Sequence, residues 1–253
     1  MDAKEIVTNM WQALMVEADP NAITTYVNPR YRQHSPYVKD GPQGLRDLIA
    51  ELRADYRYDL VRIIGNDKFA VMHGVHYNWL NDVFTGGEAV VGFDMFRVAN
   101  GQIIEHWDAS VPLIRASVSG HGQLDGATTI TQPKLTSLSQ QVGRDYVQQV
   151  LVEGLHDKLG NFVRHDVKQH HVEIGNGIHA LAEAITQSAK RYDAVLHVIA
   201  EGEFVAVHSG GSVNQQPYSF WDLLRIDEHG LIAEQWQVAA VYPKIVAHNN
   251  GPY

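Results

Sequence analysis

The chain repeats itself, and that constrains its fold more than any other feature. Tyr31–His34 (YRQH) returns as Val167–His170 (VKQH), and Tyr26-Val27 returns as Phe162-Val163. IIGNDKFAVMHG, Ile63–Gly74, returns as VIAEGEFVAVHSG, Val198–Gly210. FDMFRVANGQIIEHWD, Phe93–Asp108, returns as WDLLRIDEHGLIAEQWQ, Trp221–Gln237, with one extra residue at the turn. Four blocks recur in the same order, at an offset that varies by less than about ten residues. Alternating strands alone would not match His34 to His170, His73 to His208, Asp94 to Asp222 and Trp107 to Trp236. The reading is a tandem duplication. At 253 residues, each copy is long enough to bury a core without covalent staples. Residues 114–140 are rich in Ser, Thr and Gly and lack sustained periodicity. The expected boundaries are 1–115 for copy one, 116–136 for a linker and 137–253 for copy two.

Within a copy, helices come first and hairpins later. Ile6, Met10, Trp11 and Leu14 share a helical face, with Asp2 as cap. Val142, Tyr146 and Val150 open copy two in the same way, after Ser139. A short helix spans Ala22 to Tyr26, and a third is expected from about Gln43 to Tyr56. Strands follow at about 59–64, 68–79, 88–99 and 102–112. Gly86-Gly87 and Asn100-Gly101 supply hairpin signals. The order implies an α+β class with helices on one face of a curved antiparallel sheet.

This pattern resembles the NTF2-like superfamily, and within it the SnoaL-like group of polyketide cyclases. The resemblance rests on Gln33-His34, the helix after Gly44, Phe93–Val98 and Asn100–Asp108, and it covers nearly all of copy one. It implies two tandem cone-shaped α+β barrels, with helices on the concave side of each sheet. It also implies a small-molecule ligand and acid/base chemistry without cofactor or metal. Domains of this kind commonly pair through the convex sheet face. An intramolecular pseudo-dimer is therefore expected, with further homodimerisation left open.

Strand parity selects the candidate catalytic residues. His106 and Asp108 point one way, Glu105 and Trp107 the other. Asp94 lies on the strand joined to theirs by the Asn100-Gly101 turn, close to both if they share a face. His34 is expected to approach from the helical side. The proposed catalytic set is His106, Asp108, Asp94 and His34. His73 shares a face with Val75 and Tyr77, and His76 is read as turned away. Ligand-binding candidates are His73, Tyr37 and Trp79 in copy one, and His170, His208 and Asp222 in copy two. Copy two carries Gln235 and Gln237 where copy one has His106 and Asp108, so the fold does not require those two. Asp94, His34 and His73 persist in both copies, which leaves a structural role open for each.

A carboxylate beside an imidazole in an apolar pocket suits proton removal next to a carbonyl. The function expected is a cofactor-independent enzyme on a small carbonyl compound, of cyclase, isomerase or dehydratase type. The alternative is a small-ligand-binding module without turnover. His34, His73, His106 and Asp108 match no metal motif such as HExxH, and no metal site is expected. An epoxide hydrolase needs an Asp-Arg-Asp pocket, but Arg97 has the wrong parity relative to Asp94. Net charge is -9, which disfavours nucleic acid and anionic membranes as partners. With no cysteine, disulfides and thiolate chemistry are excluded. No apolar run reaches the length of a membrane span, and a cytoplasmic location is expected.

Overall fold

The computed structural model describes residues 1–17, 19, 21–79 and 89–252. The chain divides into two compact units, Met1–Leu113 with Tyr242–Tyr253, and Ile114–Val241.

The first unit runs α1 (Ala3–Trp11), α2 (Ala22–Tyr26), β1 (Val27–Gln33), α3 (Gly41–Glu51), β2 (Arg57–Gly65), β3 (Phe69–Tyr77), β4 (Val90–Ala99) and β5 (Gln102–Pro112). Asp2 caps α1 in a reciprocal box. Its carboxylate accepts the Glu5 N–H at 2.9 Å, and Glu5 accepts the Asp2 N–H at 3.0 Å. Ile6, Val7 and Met10 turn inward, and α1 continues into a π-helical turn over Gln12–Val16. These side chains pack with Ile23, Tyr31, Met72, Phe96 and Ile103 in one core. Full burial of one such side chain is worth about 1.5–3 kcal/mol.

The sheet order is β1-β5-β4-β3-β2. Strands β2 to β5 form an antiparallel meander. The Asn100-Gly101 turn has positive φ at both residues, as a tight hairpin requires. β1 departs from the expected all-antiparallel sheet, because it lies parallel to β5. No hairpin joins those two strands: α3 and three strands intervene, so tight-turn geometry does not fix their direction. α3 stops before the expected Tyr56, since Leu52 is extended and Arg53 bonds locally to Asp55. The turn expected at Gly86-Gly87 lies outside the described residues.

The second unit repeats the order. It runs α4 (Thr136–Asp145), a π-helical turn over Tyr146–Val152, β6 (Val163–Gln169), α5 (Ile178–Gln187), β7 (Lys190–Glu201), β8 (Phe204–Val213), β9 (Gln216–Ile226) and β10 (Ile232–Val241). Its sheet order, β6-β10-β9-β8-β7, matches the first position for position. Both units are thus α+β cones with a five-stranded mixed sheet.

The segment read as a linker does not run free. Ser119 Oγ donates to the Gln169 carbonyl at 2.7 Å, and Trp236 Nε1 donates to the Asp125 carbonyl at 3.0 Å. Glu203 accepts from the N–H groups of Thr131 and Gln132 at 2.9 and 3.0 Å. Its Ser, Thr and Gly content supplies short polar contacts to the second unit's sheet instead of slack. The last residues belong to the first unit: Asn250 Nδ2 donates to the Gln33 carbonyl at 2.9 Å, and the Ala247 N–H to the Pro36 carbonyl at 2.9 Å. Among the described residues, no helix is long and apolar enough to cross a membrane.

Candidate functional site

The helix-covered face of the first sheet holds the cluster. Register sets Asp94 opposite Asp108 and Phe96 opposite His106 on β4 and β5. Residues opposite or two apart on one face lie within side-chain reach. Asp94, His106 and Asp108 accordingly present ligand atoms within 4.8 Å of one another. They floor a cavity walled by Met10, Trp11 and Leu14 on the α1 side and by Leu45, Leu48 and Ile49 of α3. Its free volume is about 50 Å³.

Gln33 fixes Nδ1 of His106 as a donor. Gln33 Oε1 accepts the N–H groups of His34 and Ser35 at 3.0 and 2.9 Å, so it can only be the oxygen. It also lies 2.8 Å from His106 Nδ1. Nδ1 must therefore donate, and Nε2 faces Asp94 Oδ1 at 3.1 Å.

Asp94 has a second imidazole beside it. His76 Nε2 lies 3.5 Å from Asp94 Oδ2, and the Tyr56 hydroxyl bonds His76 Nδ1 at 3.0 Å. Parity along the strand alone turns His76 away and points His73 in. The register corrects this: Met72 faces Asp94, so Gly74 and His76 share its side of the sheet. His73 sits on the opposite face, stacked on Phe93 with ring centres 4.5 Å apart and bonded to Arg62 at 3.0 Å. The missing signal was the pairing partner of β3, which alternation along one strand does not reveal.

The two carboxyl groups are pushed in opposite directions. Burial raises Asp94, but hydrogen bonds from His106 and His76 and their charge outweigh it, holding the group well below the usual carboxylate range. Asp108 is raised, mainly by burial, with the Asp94 charge adding to it against His106. Neighbouring carboxyls driven apart in proton affinity mark an acid/base assignment.

The other expected residues fall as follows. Trp79 lines the cavity, with its ring centre 4.3 Å from that of His76. Tyr37 is 48% exposed and does not line the cavity. His34, expected in the pocket, is on the opposite face. It stacks on Trp107 at 4.7 Å and bonds Glu105 at 2.8 Å through Nε2 and the Gly251 carbonyl at 3.0 Å through Nδ1. Arg97 completes the group on Glu105. The same four residue types recur in the second unit: His170 stacks on Trp236 at 4.5 Å and lies 3.5 Å from Glu234, which pairs with Arg225. His208 is likewise on the outer face, stacked on Trp221 at 4.2 Å and bonded to Ser219 at 3.0 Å. Asp222 alone of the second unit's candidates lies on the helix-covered side. It accepts from Gln235 and Gln237 at 3.0 and 2.8 Å and from Tyr192 at 3.3 Å.

His34 thus acts as a structural clamp. Its replacement by Gln is expected to cost about 1–3 kcal/mol in urea unfolding. Turnover at the cavity, measured as kcat/KM, stays within twofold.

Residues 7–106 match the SnoaL-like domain family. The first unit carries a SnoaL-like domain. The match begins within α1, runs through β1 to β4 and ends at His106 on β5, two residues before Asp108. Solved structures similar to one unit include TsrD from Streptomyces laurentii, at 21% identity and a TM-score of 0.36, covering 43% of this chain and 87% of that one. A SnoaL-like polyketide cyclase from Agrobacterium tumefaciens is 13% identical with a TM-score of 0.38, covering 44% and 92%. A cystatin-fold protein of unknown function from Xanthomonas campestris is 19% identical with a TM-score of 0.34, covering 40% and 90%. No curated protein sequence matches the chain. In this SnoaL-like domain, Asp94, His106 and Asp108 cluster in the helix-covered cavity, with His76, Tyr56 and Gln33 bonded around them.

Proposed function

We propose that the first unit is a cofactor-independent proton-transfer enzyme acting on a small carbonyl compound, of cyclase, isomerase or dehydratase type. The observation that carries this reading is the pair of facing carboxyls with opposed proton affinities and His106 between them. Asp108, with its raised affinity, takes a proton from the carbon next to the carbonyl. Negative charge moves to the carbonyl oxygen, which lies against the His106 ring. Asp94 stays ionised and pairs with His106 Nε2, while Gln33 holds Nδ1. Asp108 then returns the proton to carbon, or the enolate forms its new bond. The free volume of about 50 Å³ is below that of a ring compound. Substrate entry therefore shifts half-buried Leu48 and Trp79.

The test needs no knowledge of the natural substrate. Small ketones with acidic α-hydrogens are incubated with the protein in D2O, and deuterium uptake at the α-carbon is followed by NMR. Exchange above buffer rate is expected, and it should persist in EDTA. Loss of exchange in EDTA would instead assign the Asp94–His106–Asp108 cluster to a bound cation. No exchange with any ketone, together with saturable binding of one, would favour a binding module.

A further inference from the structure

The second unit rebuilds the same face without its imidazoles. Gln237 stands opposite Asp222, and Gln235 opposite Leu224, at the positions of Asp108 and His106. Tyr192 pairs with Gly211 as Tyr58 pairs with His76, so a glycine replaces that ring. Two residues earlier, Lys190 falls where the first unit has Tyr56. The cavity here is larger, at about 200 Å³.

Lys190 lines this cavity and donates to Gln237 Oε1. Among the described residues, no carboxylate forms an ion pair with it. Asp222 does not line the cavity; Gln235, Gln237 and Tyr192, which donate to it, do. Leu151, Ile174, Leu181 and Ile185 form an apolar wall. Gln169 Oε1, fully buried on the same lining, has no hydrogen-bond partner.

Lys190 is half-buried, and Asp222 and Glu173 favour its ammonium form without an ion pair to it, so the amine is still able to pair with a ligand anion. Burial lowers the proton affinity of Lys190 against the charges of Asp222 and Glu173, and His171 is pushed down to about 4 by burial and by the Lys190 charge. The volume is below the roughly 300–1,000 Å³ of drug-sized sites, so the occupant is small.

We infer that the second unit binds a small monocarboxylate with an apolar body, its carboxylate on Lys190 and its body against Leu151, Ile174, Leu181 and Ile185. This site is independent of the proton chemistry in the first unit. A hydroxyl on the ligand would find its acceptor in Gln169 Oε1.

The experiment is calorimetric titration of the full chain with phenylacetate and with phenylacetamide, which has the same shape without the charge. Phenylacetate is expected to bind at least about tenfold tighter, a difference of about 1.4 kcal/mol. Lys190→Met should bring the acid down to the level of the amide. Lys190→Arg should keep the preference, which guards against a Met variant that fails to fold. Asp108→Asn should leave phenylacetate affinity unchanged, separating this cavity from that of the first unit. Equal binding of acid and amide, no saturable binding at millimolar phenylacetate, or undiminished acid affinity in a folded Lys190→Met variant would overturn the inference.

Discussion

Asp108→Asn is expected to lose about 10²–10⁴-fold in kcat/KM, the usual contribution of a positioned acid/base group, while the protein becomes harder to unfold. The two effects share one cause. Asp108 is half-buried beside Asp94, and both desolvation and that neighbour oppose its ionisation. The folded state therefore binds this proton more tightly than the unfolded chain does. The stability it contributes is fully present below the unfolded carboxylate range near pH 4 and is lost as pH rises through the folded value. Asparagine never ionises, so the gap between variant and wild type should widen from pH 4 to pH 8. Urea midpoints at several pH values measure it. A variant that unfolds more easily than wild type at pH 8 would mean that the charge on Asp108 is satisfied and not strained. Sites kept for chemistry at a cost in stability behave in this way.

Asp94→Asn should do the reverse. The substitution has the same shape and faces the same cavity, yet it removes the anion that serves two imidazoles, His106 at 3.1 Å and His76 at 3.5 Å. Breaking one side of a buried pair costs about 3–5 kcal/mol. For Asp94 the folded proton affinity is lowered. Its stability is present above the unfolded range near pH 4 and is lost as pH falls toward the folded value. The variant should accordingly lie closest to wild type in acid and farthest from it at neutral pH. Thermal unfolding at pH 3 and pH 7 separates the outcomes. A penalty that does not change with pH would show that shape, rather than charge, holds this position.

The sequence carried the architecture well and the site in part. Repeated blocks and turn residues gave the two copies, because Asn100-Gly101 and the 2-residue period act locally. The grouping of Asp94, His106 and Asp108 rests on one hairpin, but its turn alone would set Asp94 opposite Trp107; a bulge at Ile104 shifts the pairing by one and brings Asp108 opposite Asp94. What failed depended on longer-range pairing. His73 and His76 differ by an odd number of residues, so only the partner of β3 shows which one faces in. His34 sits at the end of β1, whose parallel seat beside β5 no local signal announces. Its persistence in both copies was compatible with binding, yet the recurring Arg–Glu–His–Trp group shows a stacked imidazole serving the fold. Tyr56 and Gln33 carried no chemical signature of their own. Their roles come entirely from what lies next to them.

The first unit is discontinuous along the chain, since residues 242–253 return to it after the second unit is complete. No single cut therefore releases both units whole. A fragment ending at 115 leaves Gln33 and His34 stripped of their contacts with Gly251 and Asn250. One beginning at 137 loses the contacts that Ser119 and Asp125 make with Gln169 and Trp236. Dissecting the two cavities calls for point substitutions in the intact chain, or for a circular permutant that rejoins the C-terminal segment to Met1.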